Sequence, residues 1–245
     1  NLSIMYQSIS KKLAPTGILR IAINTSNFLL VSGKNEQGIP TGISPDLGRK
    51  IAEELNLKFK YIKFKKPSEI ADSVDQDLWD VGNIAFDPKR AAKIDFTKPY
   101  INIDANFLVK KKDNIKTNSQ VDELNNKISV FEGSAYDLWL SKNFKNAKII
   151  RAASVDESHD LFYKNEANIL AGLRSKLIED AKKNDDFELI EKPFTFIGQA
   201  IAIKKGNPDV IKYLNDLILE LIKNKYILEL LKKYNLEDQL TIPNL

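Results

Sequence analysis

The feature that most constrains the fold is an alternation of short apolar strands with amphipathic helices, which occurs twice along the chain. In the first part, the spacing of apolar residues predicts strands at 18–23, 59–64 and 79–85, with helices between them at 44–56 and 68–74. Strands that alternate with helices usually form a largely parallel sheet. This part of the chain is therefore predicted to be an α/β unit.

The same alternation begins again near residue 128. The predicted order is strand 128–130, helix 134–144, strand 148–151, helix 155–164, strand 168–172 and helix 177–183. A second α/β unit is therefore predicted. An N-terminal arm is expected at 1–16, and a single helix at 209–234 is expected to bury its apolar stripe against the protein instead of a membrane.

The two predicted units are joined by two crossings, one near 102–108 and one near 193–199. Neither crossing contains a Gly/Ser-rich linker, which favours a hinge over independent domains. We assign residues 1–104 and 198–245 to lobe 1 and residues 105–197 to lobe 2. The expected fold class is α/β, with two lobes joined by two crossover strands.

Composition excludes several kinds of chemistry. The chain has no cysteine and one histidine, so disulfides, thiolate nucleophiles and metal sites built from several His or Cys ligands are excluded. That histidine, His159, is expected to be a solvated helix residue. The 32 Lys and 5 Arg are interleaved with Asp and Glu, which indicates a solvated surface and no nucleic-acid partner. A Gly-rich phosphate loop is absent, and no apolar run reaches 18 residues, so no membrane span is expected.

The segment 80–100 carries the most chemical information. A predicted strand ends at Ala85, and ligands of open α/β sheets bind beyond the carboxyl ends of the strands. Asn83 and Ala85 would present polar groups there. Arg90 follows five residues later, and its guanidinium is the natural partner of a carboxylate.

This segment resembles the bacterial extracellular solute-binding proteins of family 3, which serve polar-amino-acid ABC transporters. The family pattern places a T-x-x-R motif before D-F-(S/T)-x-P-Y. The chain has Asp87 in place of the Thr, then Arg90, and then the full second motif at 95–100. Further matches lie at 42–47 and 131–134, and the resemblance extends over about 15–235.

The resemblance implies a two-lobe, type II periplasmic-binding-protein fold that closes on a small polar solute. The implied partners are a small carboxylate-bearing ligand and an ABC transporter membrane permease. The implied location is the periplasm, with a leader removed or trimmed, and a monomer is expected. No bond is made or broken, so no catalytic residue, cofactor or metal is expected. The implied ligand-binding residues are Arg90, Asn83, Ala85, Ser134, Asn24, Asn27, Phe28, Tyr136, Gln199 and Arg174.

Several of these positions depart from the family pattern. The second-lobe acid that commonly holds an α-ammonium is missing, and the nearby charged residue is Arg174. An ammonium would need another partner, such as Asp87 or Asp137. Two other functions stay open: a dehydratase-like enzyme acting on a cyclic carboxylic acid, which would need a positioned general acid, and the sensor domain of a receptor.

Each candidate residue also has a structural alternative. Arg90 and Arg174 could form surface ion pairs, Ser134 could cap a helix, and Asn83 could occupy a turn. For the other candidates the alternatives are loop hydrogen bonding (Asn24 and Asn27), hinge structure (Gln199) and core packing (Phe28 and Tyr136). Trp79 and Trp139 are expected in the core.

Overall fold

The computed structural model describes residues 2–245, which form two compact units. Unit 1 contains the chain up to Asn102 together with Gly198–Leu245, and unit 2 contains Ile103–Ile197. The chain passes from one unit to the other inside two ten-residue strands, Ile101–Lys110 and Thr195–Lys204. Both passages are therefore made in extended, hydrogen-bonded backbone and not in irregular loops.

The helices and strands alternate as the periodicity predicts. In chain order the helices are α1 (Leu2–Leu13), α2 (Ile43–Glu54), α3 (Pro67–Asp72), α4 (Ala135–Asn143), α5 (Val155–Tyr163), α6 (Arg174–Lys183), α7 (Pro208–Lys223) and α8 (Tyr226–Lys233). The strands are β1 (Ile18–Asn24), β2 (Gly33–Lys34), β3 (Pro40–Thr41), β4 (Lys58–Phe64), β5 (Val81–Ala85), β6 (Ile94–Phe96), β7 (Ile101–Lys110), β8 (Lys127–Phe131), β9 (Lys148–Ala152), β10 (Ile169–Leu173), β11 (Phe187–Leu189) and β12 (Thr195–Lys204). The predicted α/β class is confirmed.

Unit 1 is built on a mixed sheet with the strand order β4-β1-β5-β12. Strands β4, β1 and β5 are parallel, and β12 runs antiparallel to β5. Helix α2 lies very close to β1, since a Cβ added at Gly48 would stand 2.6 Å from Cγ2 of Ile21. Only glycine allows this approach, and it fixes the helix against the strand whose end lies at the candidate site.

Unit 2 repeats the arrangement with the strand order β7-β10-β8-β9. Strands β8, β9 and β10 are parallel, whereas β7 and β10 are antiparallel. One apolar cluster fills the space between the sheet and its helices: Leu108, Phe162, Leu170, Leu177 and Phe187. Burial of such side chains contributes about 1.5–3 kcal/mol each, which makes unit 2 a packed body of its own.

Several local predictions are wrong. Residues expected to form an N-terminal arm form helix α1, because its apolar residues Ile9 and Leu13 are buried. The single helix expected at 209–234 is broken into α7 and α8 at Lys225, whose φ of 72° lies in the left-handed region. His159 is buried, with 5% of its surface exposed, where a solvated residue was expected.

The histidine is buried because unit 2 supplies it with a partner. Its Nδ1 atom lies 2.5 Å from Oδ2 of Asp180 on α6, and Tyr163 donates a hydrogen bond to the other carboxylate oxygen. Of the two tryptophans, Trp79 is in the core as expected. Trp139 is half-buried against Phe144 and Phe194.

Candidate functional site

The candidate residues of unit 1 meet at the carboxyl edge of its parallel strands. Asn24 is the last residue of β1, and Ala85 is the last residue of β5. Strand β12 adds Gln199 to this edge, because Gln199 is the register partner of Ala85. The sheet therefore brings together three candidates that lie far apart in the sequence.

Arg90 lies beneath this edge. Only 6% of its surface is exposed, and Nη1 donates a hydrogen bond of 2.9 Å to the carbonyl oxygen of Ala85. Burial lowers the pKa of the guanidinium to about 10, and the Asp87 carboxylate opposes that shift. The group is still cationic at neutral pH. A surface salt bridge, the structural alternative for Arg90, does not fit a side chain this deeply buried.

Asp87 stabilises the turn before Arg90, as the Thr of the family motif is expected to do. Its Oδ2 accepts hydrogen bonds from the backbone N–H groups of Lys89, at 2.7 Å, and Arg90, at 3.3 Å. A Thr hydroxyl at this position would be an acceptor for the same groups, since both side chains cap short turns. The substitution keeps the turn before Arg90 and adds a negative charge beside it.

Asn83 is held by two other parts of unit 1. Its Oδ1 accepts a hydrogen bond from the hydroxyl of Tyr100, and its Nδ2 donates to the carbonyl oxygen of Ser44 at 3.4 Å. Tyr100 is fully buried, and burial raises the pKa of its hydroxyl well above the usual range. The closing Tyr of the motif at 95–100 therefore positions Asn83.

The loop after β1 contains the other candidates of unit 1. Oδ1 of Asn24 accepts hydrogen bonds from the backbone N–H of Ser26, at 3.0 Å, and from its hydroxyl. Oδ1 of Asn27 accepts from the backbone N–H of Leu30 at 3.2 Å. Phe28 is exposed, so core packing does not explain it. The two asparagines shape the loop, and Phe28 presents an aromatic face.

Phe86 is an aromatic residue that the sequence reasoning missed. It follows Ala85 directly, and 47% of its surface is exposed. Its ring packs edge-on against Phe96 with the centroids 5.3 Å apart. The available signal was its position, because the residue after a buried strand lies at the carboxyl edge where ligands bind.

In unit 2, Ser134 caps helix α4. Its hydroxyl donates to the carbonyl oxygen of Phe131 at 2.7 Å and accepts from the backbone N–H of Asp137 at 3.1 Å. Gly133 has a φ of 78°, which favours glycine at this tight turn. Tyr136 is buried beside Ser134, and burial raises the pKa of its hydroxyl above the usual range, opposed by a hydrogen bond to Ser134. The cap is therefore observed, and ligand contact by Ser134 and Tyr136 stays a prediction.

Arg174 is engaged by a neighbouring acid. Its Nη1 donates to the carbonyl oxygen of Glu191 at 2.9 Å, and its Nη2 lies 2.8 Å from Glu191 Oε2. This is the surface ion pair that the sequence left as the alternative. Asp137 is similarly occupied, since its Oδ1 lies 3.0 Å from Nε of Arg151 and its Oδ2 accepts from the backbone N–H of Gly133.

Neither a metal site nor a membrane span is found in the part of the chain that the structure describes. Among residues 2–245, no three or more His, Cys, Asp or Glu side chains are grouped so as to hold a metal ion. Within the same residues, none of the helices combines the length and the apolar character needed to cross a bilayer.

Solved structures share this fold. The cysteine-binding protein from Campylobacter jejuni has a TM-score of 0.75 at 20% identity, covering 93% of this chain and 92% of that chain. The solute receptor for L-cysteine from Neisseria gonorrhoeae has a TM-score of 0.74 at 21% identity, covering 94% and 93%. The fold is that of the type II periplasmic binding proteins.

The sequence comparisons identify the family. The model of the bacterial extracellular solute-binding proteins, family 3, matches residues 19–237, and the chain therefore belongs to that family. The amino-acid-binding protein AabA of Dichelobacter nodosus is 29% identical over 225 residues, which cover 89% of this chain and 88% of that protein. The L-cystine-binding protein TcyJ of Escherichia coli K12 is 25% identical over 232 residues, covering 93% and 86%.

Proposed function

We propose that this chain is the periplasmic substrate-binding component of an ABC importer. It captures a small carboxylate-bearing solute, an amino acid or a related compound, when its two units close about the crossover strands. Membership of the family and relatives named as amino-acid-binding proteins support a binding role over an enzymatic one. A ligand that interacts better with the closed state shifts the protein toward that state by its difference in affinity.

The observation that carries the proposal is the buried guanidinium of Arg90 at the carboxyl edge of β5. A cation held in this environment interacts strongly with an anion, because the surrounding dielectric constant is lower than that of water. Its planar fork suits the two oxygens of a carboxylate. Arg90 therefore anchors the carboxylate in this proposal. Asn24, Asn27, Phe28 and Ala85 surround the rest of the ligand.

The charges and existing contacts of the nearby residues also indicate which acid would bind the ammonium of an amino-acid ligand. Arg174 repels a cation, and Asp137 is already bound by Arg151 and Gly133. Asp87 has Oδ2 occupied by two backbone N–H groups, and its carboxylate lies beside the anchoring Arg90. We infer that Asp87 receives the ammonium when the solute is an amino acid, in place of the missing second-lobe acid.

A thermal-shift screen tests the proposal. Native mass spectrometry first detects any retained ligand, and the protein is then unfolded, dialysed and refolded. Amino acids, small organic acids, betaines and polyamines are compared, because a compound that binds only the native state raises Tm by mass action. Stabilisation by carboxylate-bearing compounds is expected. Stabilisation only by polyamines or uncharged solutes would show that Arg90 is not the anchor.

An enzymatic function gives a different result in the same screen. A dehydratase would convert a cyclic hydroxy acid on prolonged incubation, and the product would be detected by mass spectrometry. A stabilising compound that is recovered unchanged supports capture without chemistry.

A further inference from the structure

A cavity of unit 2 lies at the opposite edge of the sheet from Ser134 and Arg174. Strands β8 and β10 are parallel, and Ser134 and Arg174 follow their carboxyl ends. Strand β7 is antiparallel to β10, so its last residue, Lys110, lies just beyond Ile169 at the amino end of β10. Lys110 lines the cavity at this end of the sheet. Within unit 2, the cavity is therefore separated from Ser134 and Arg174 by the length of the strands.

The lining of the cavity is cationic, amide-rich and aromatic. Its volume is about 380 Å³, and it is lined by Lys110, Lys111, Lys112, Tyr163, Asn165, Asn184, Asp186 and Phe187. The lining thus contains three lysines and one acidic residue. The rings of Tyr163 and Phe187 are stacked, with an interplanar angle of 13° and centroids 5.5 Å apart, and form an ordered wall.

Lys110 is the unusual member of this lining. Only 7% of its surface is exposed, and its Nζ donates to the carbonyl oxygen of Phe162, at 2.9 Å, and to Oδ1 of Asn165. It also lies 4.6 Å from the centroid of the Phe162 ring. All three partners are neutral, so they orient the ammonium without cancelling its charge.

Lys110 forms no ion pair in the described part of the chain, although Asp113 and Asp186 lie nearby. Within residues 2–245, no carboxylate lies at ion-pair distance from Lys110, Lys111 or Lys112. Burial lowers the pKa of Lys110 and the charge of Lys112 lowers it further, while the carboxylate of Asp113 opposes the shift. A buried cation without an anion is costly, and buried charges are normally paired.

We propose that this cavity binds a small oxyanion, a phosphate or a carboxylate. The ammonium of Lys110 has three N–H donors, and two are used by Phe162 and Asn165, so one is available for an anion. Lys111 and Lys112 are exposed and add positive charge at the cavity. The side-chain amides of Asn165 and Asn184 supply neutral donors. The site does not depend on the solute proposed for Arg90.

The test is a titration followed by NMR on the whole chain. Inorganic phosphate and acetate are added separately at constant ionic strength, with sodium chloride as the reference, and the amide signals of Lys111, Asn165 and Phe187 are observed. Saturable shifts with phosphate or acetate that sodium chloride does not produce support the proposal. The anion that binds more tightly shows whether the cavity prefers a phosphate or a carboxylate. Shifts that sodium chloride produces equally, or that do not saturate with either anion, overturn the proposal.

Two double variants locate the effect. Lys111→Gln with Lys112→Gln removes two exposed charges from the lining, and Lys142→Gln with Lys145→Gln removes two exposed charges elsewhere in unit 2. An ammonium about 4 Å from an anion in water contributes about a fivefold gain in affinity, and salt screens part of it. We expect about a tenfold loss of affinity in the first variant and no change in the second. Equal losses in both variants would show nonspecific charge attraction and overturn the site.

Discussion

Removing the Arg90 side chain is the sharpest perturbation of the proposed solute site. The guanidinium is buried at the carboxyl edge of β5, so a bound carboxylate would form its ion pair largely out of water. In Arg90→Ala the carboxylate would be desolvated without its partner. Breaking a buried pair in this way costs about 3–5 kcal/mol. The expected result is a rise in Kd of about two to three and a half powers of ten.

The effect on folding is expected to be smaller than the effect on binding. Arg90→Ala loses the hydrogen bond to the Ala85 carbonyl, which contributes about 0.5–1.5 kcal/mol. Removing a buried cation offsets part of this loss, because its desolvation is no longer required. Urea unfolding of the ligand-free variant measures this loss of folding stability separately. The loss should be small enough to leave the variant folded at room temperature.

Isothermal titration calorimetry with the compound found in the screen measures the binding loss. Arg49→Ala is the matched control, because Arg49 is a half-exposed arginine of the same unit with carboxylates at 3.5 and 3.6 Å. The exposed pair with Glu53 contributes about 0–1 kcal/mol, and neither pair involves the ligand. Wild-type affinity in a folded Arg90→Ala variant would refute the anchoring role.

Two further predictions concern stability. Asp46→Ala should lower the free energy of unfolding by about 2 kcal/mol in urea titrations, because the buried carboxylate accepts hydrogen bonds from Lys233, at 2.8 Å, and from Tyr234, at 2.7 Å. Burial would raise the pKa of Asp180, but hydrogen bonds donated by the side chains of His159 and a neighbouring tyrosine outweigh burial and lower it. Because the pKa of Asp180 is lower in the folded state, its ionised carboxylate stabilises the fold above the unfolded pKa, about 3.9. This stabilisation is lost as the pH falls through the lower folded value. Asp180→Asn should therefore be less stable at neutral pH and lose less stability on acidification, and parallel acid-unfolding curves for the two proteins would contradict this.

Much of the architecture could be predicted because it depends on local periodicity. Apolar residues recur at the spacing of strands and helices along both units, and this spacing is visible without any partner. Arg90 could be singled out because it follows a buried strand by five residues. The broken helix could not be predicted with the same ease, because the left-handed residue is Lys225 and not a glycine.

The roles of individual side chains were harder to predict because their partners are remote in the sequence. Asn83 is held by Tyr100, 17 positions away, and Ser44, 39 positions away. The sequence indicated Asn83 as a polar residue at the end of a strand. Nothing near it in the sequence indicates that both Oδ1 and Nδ2 of its side chain form hydrogen bonds. Arg174 is similar, since its partner Glu191 lies 17 residues away in an exposed segment.

The sequence by itself determined the α/β class, the order of the elements and the presence of a lone arginine beyond the third strand. These are properties of residue spacing, and neighbouring residues alone produce them. The tertiary structure decided that Arg90 is buried, that His159 is paired with Asp180, and that Lys110 lines a cavity and is bonded there only by neutral groups. Burial and charge pairing depend on which strands and helices come together, and packing sets that arrangement over the whole of each unit.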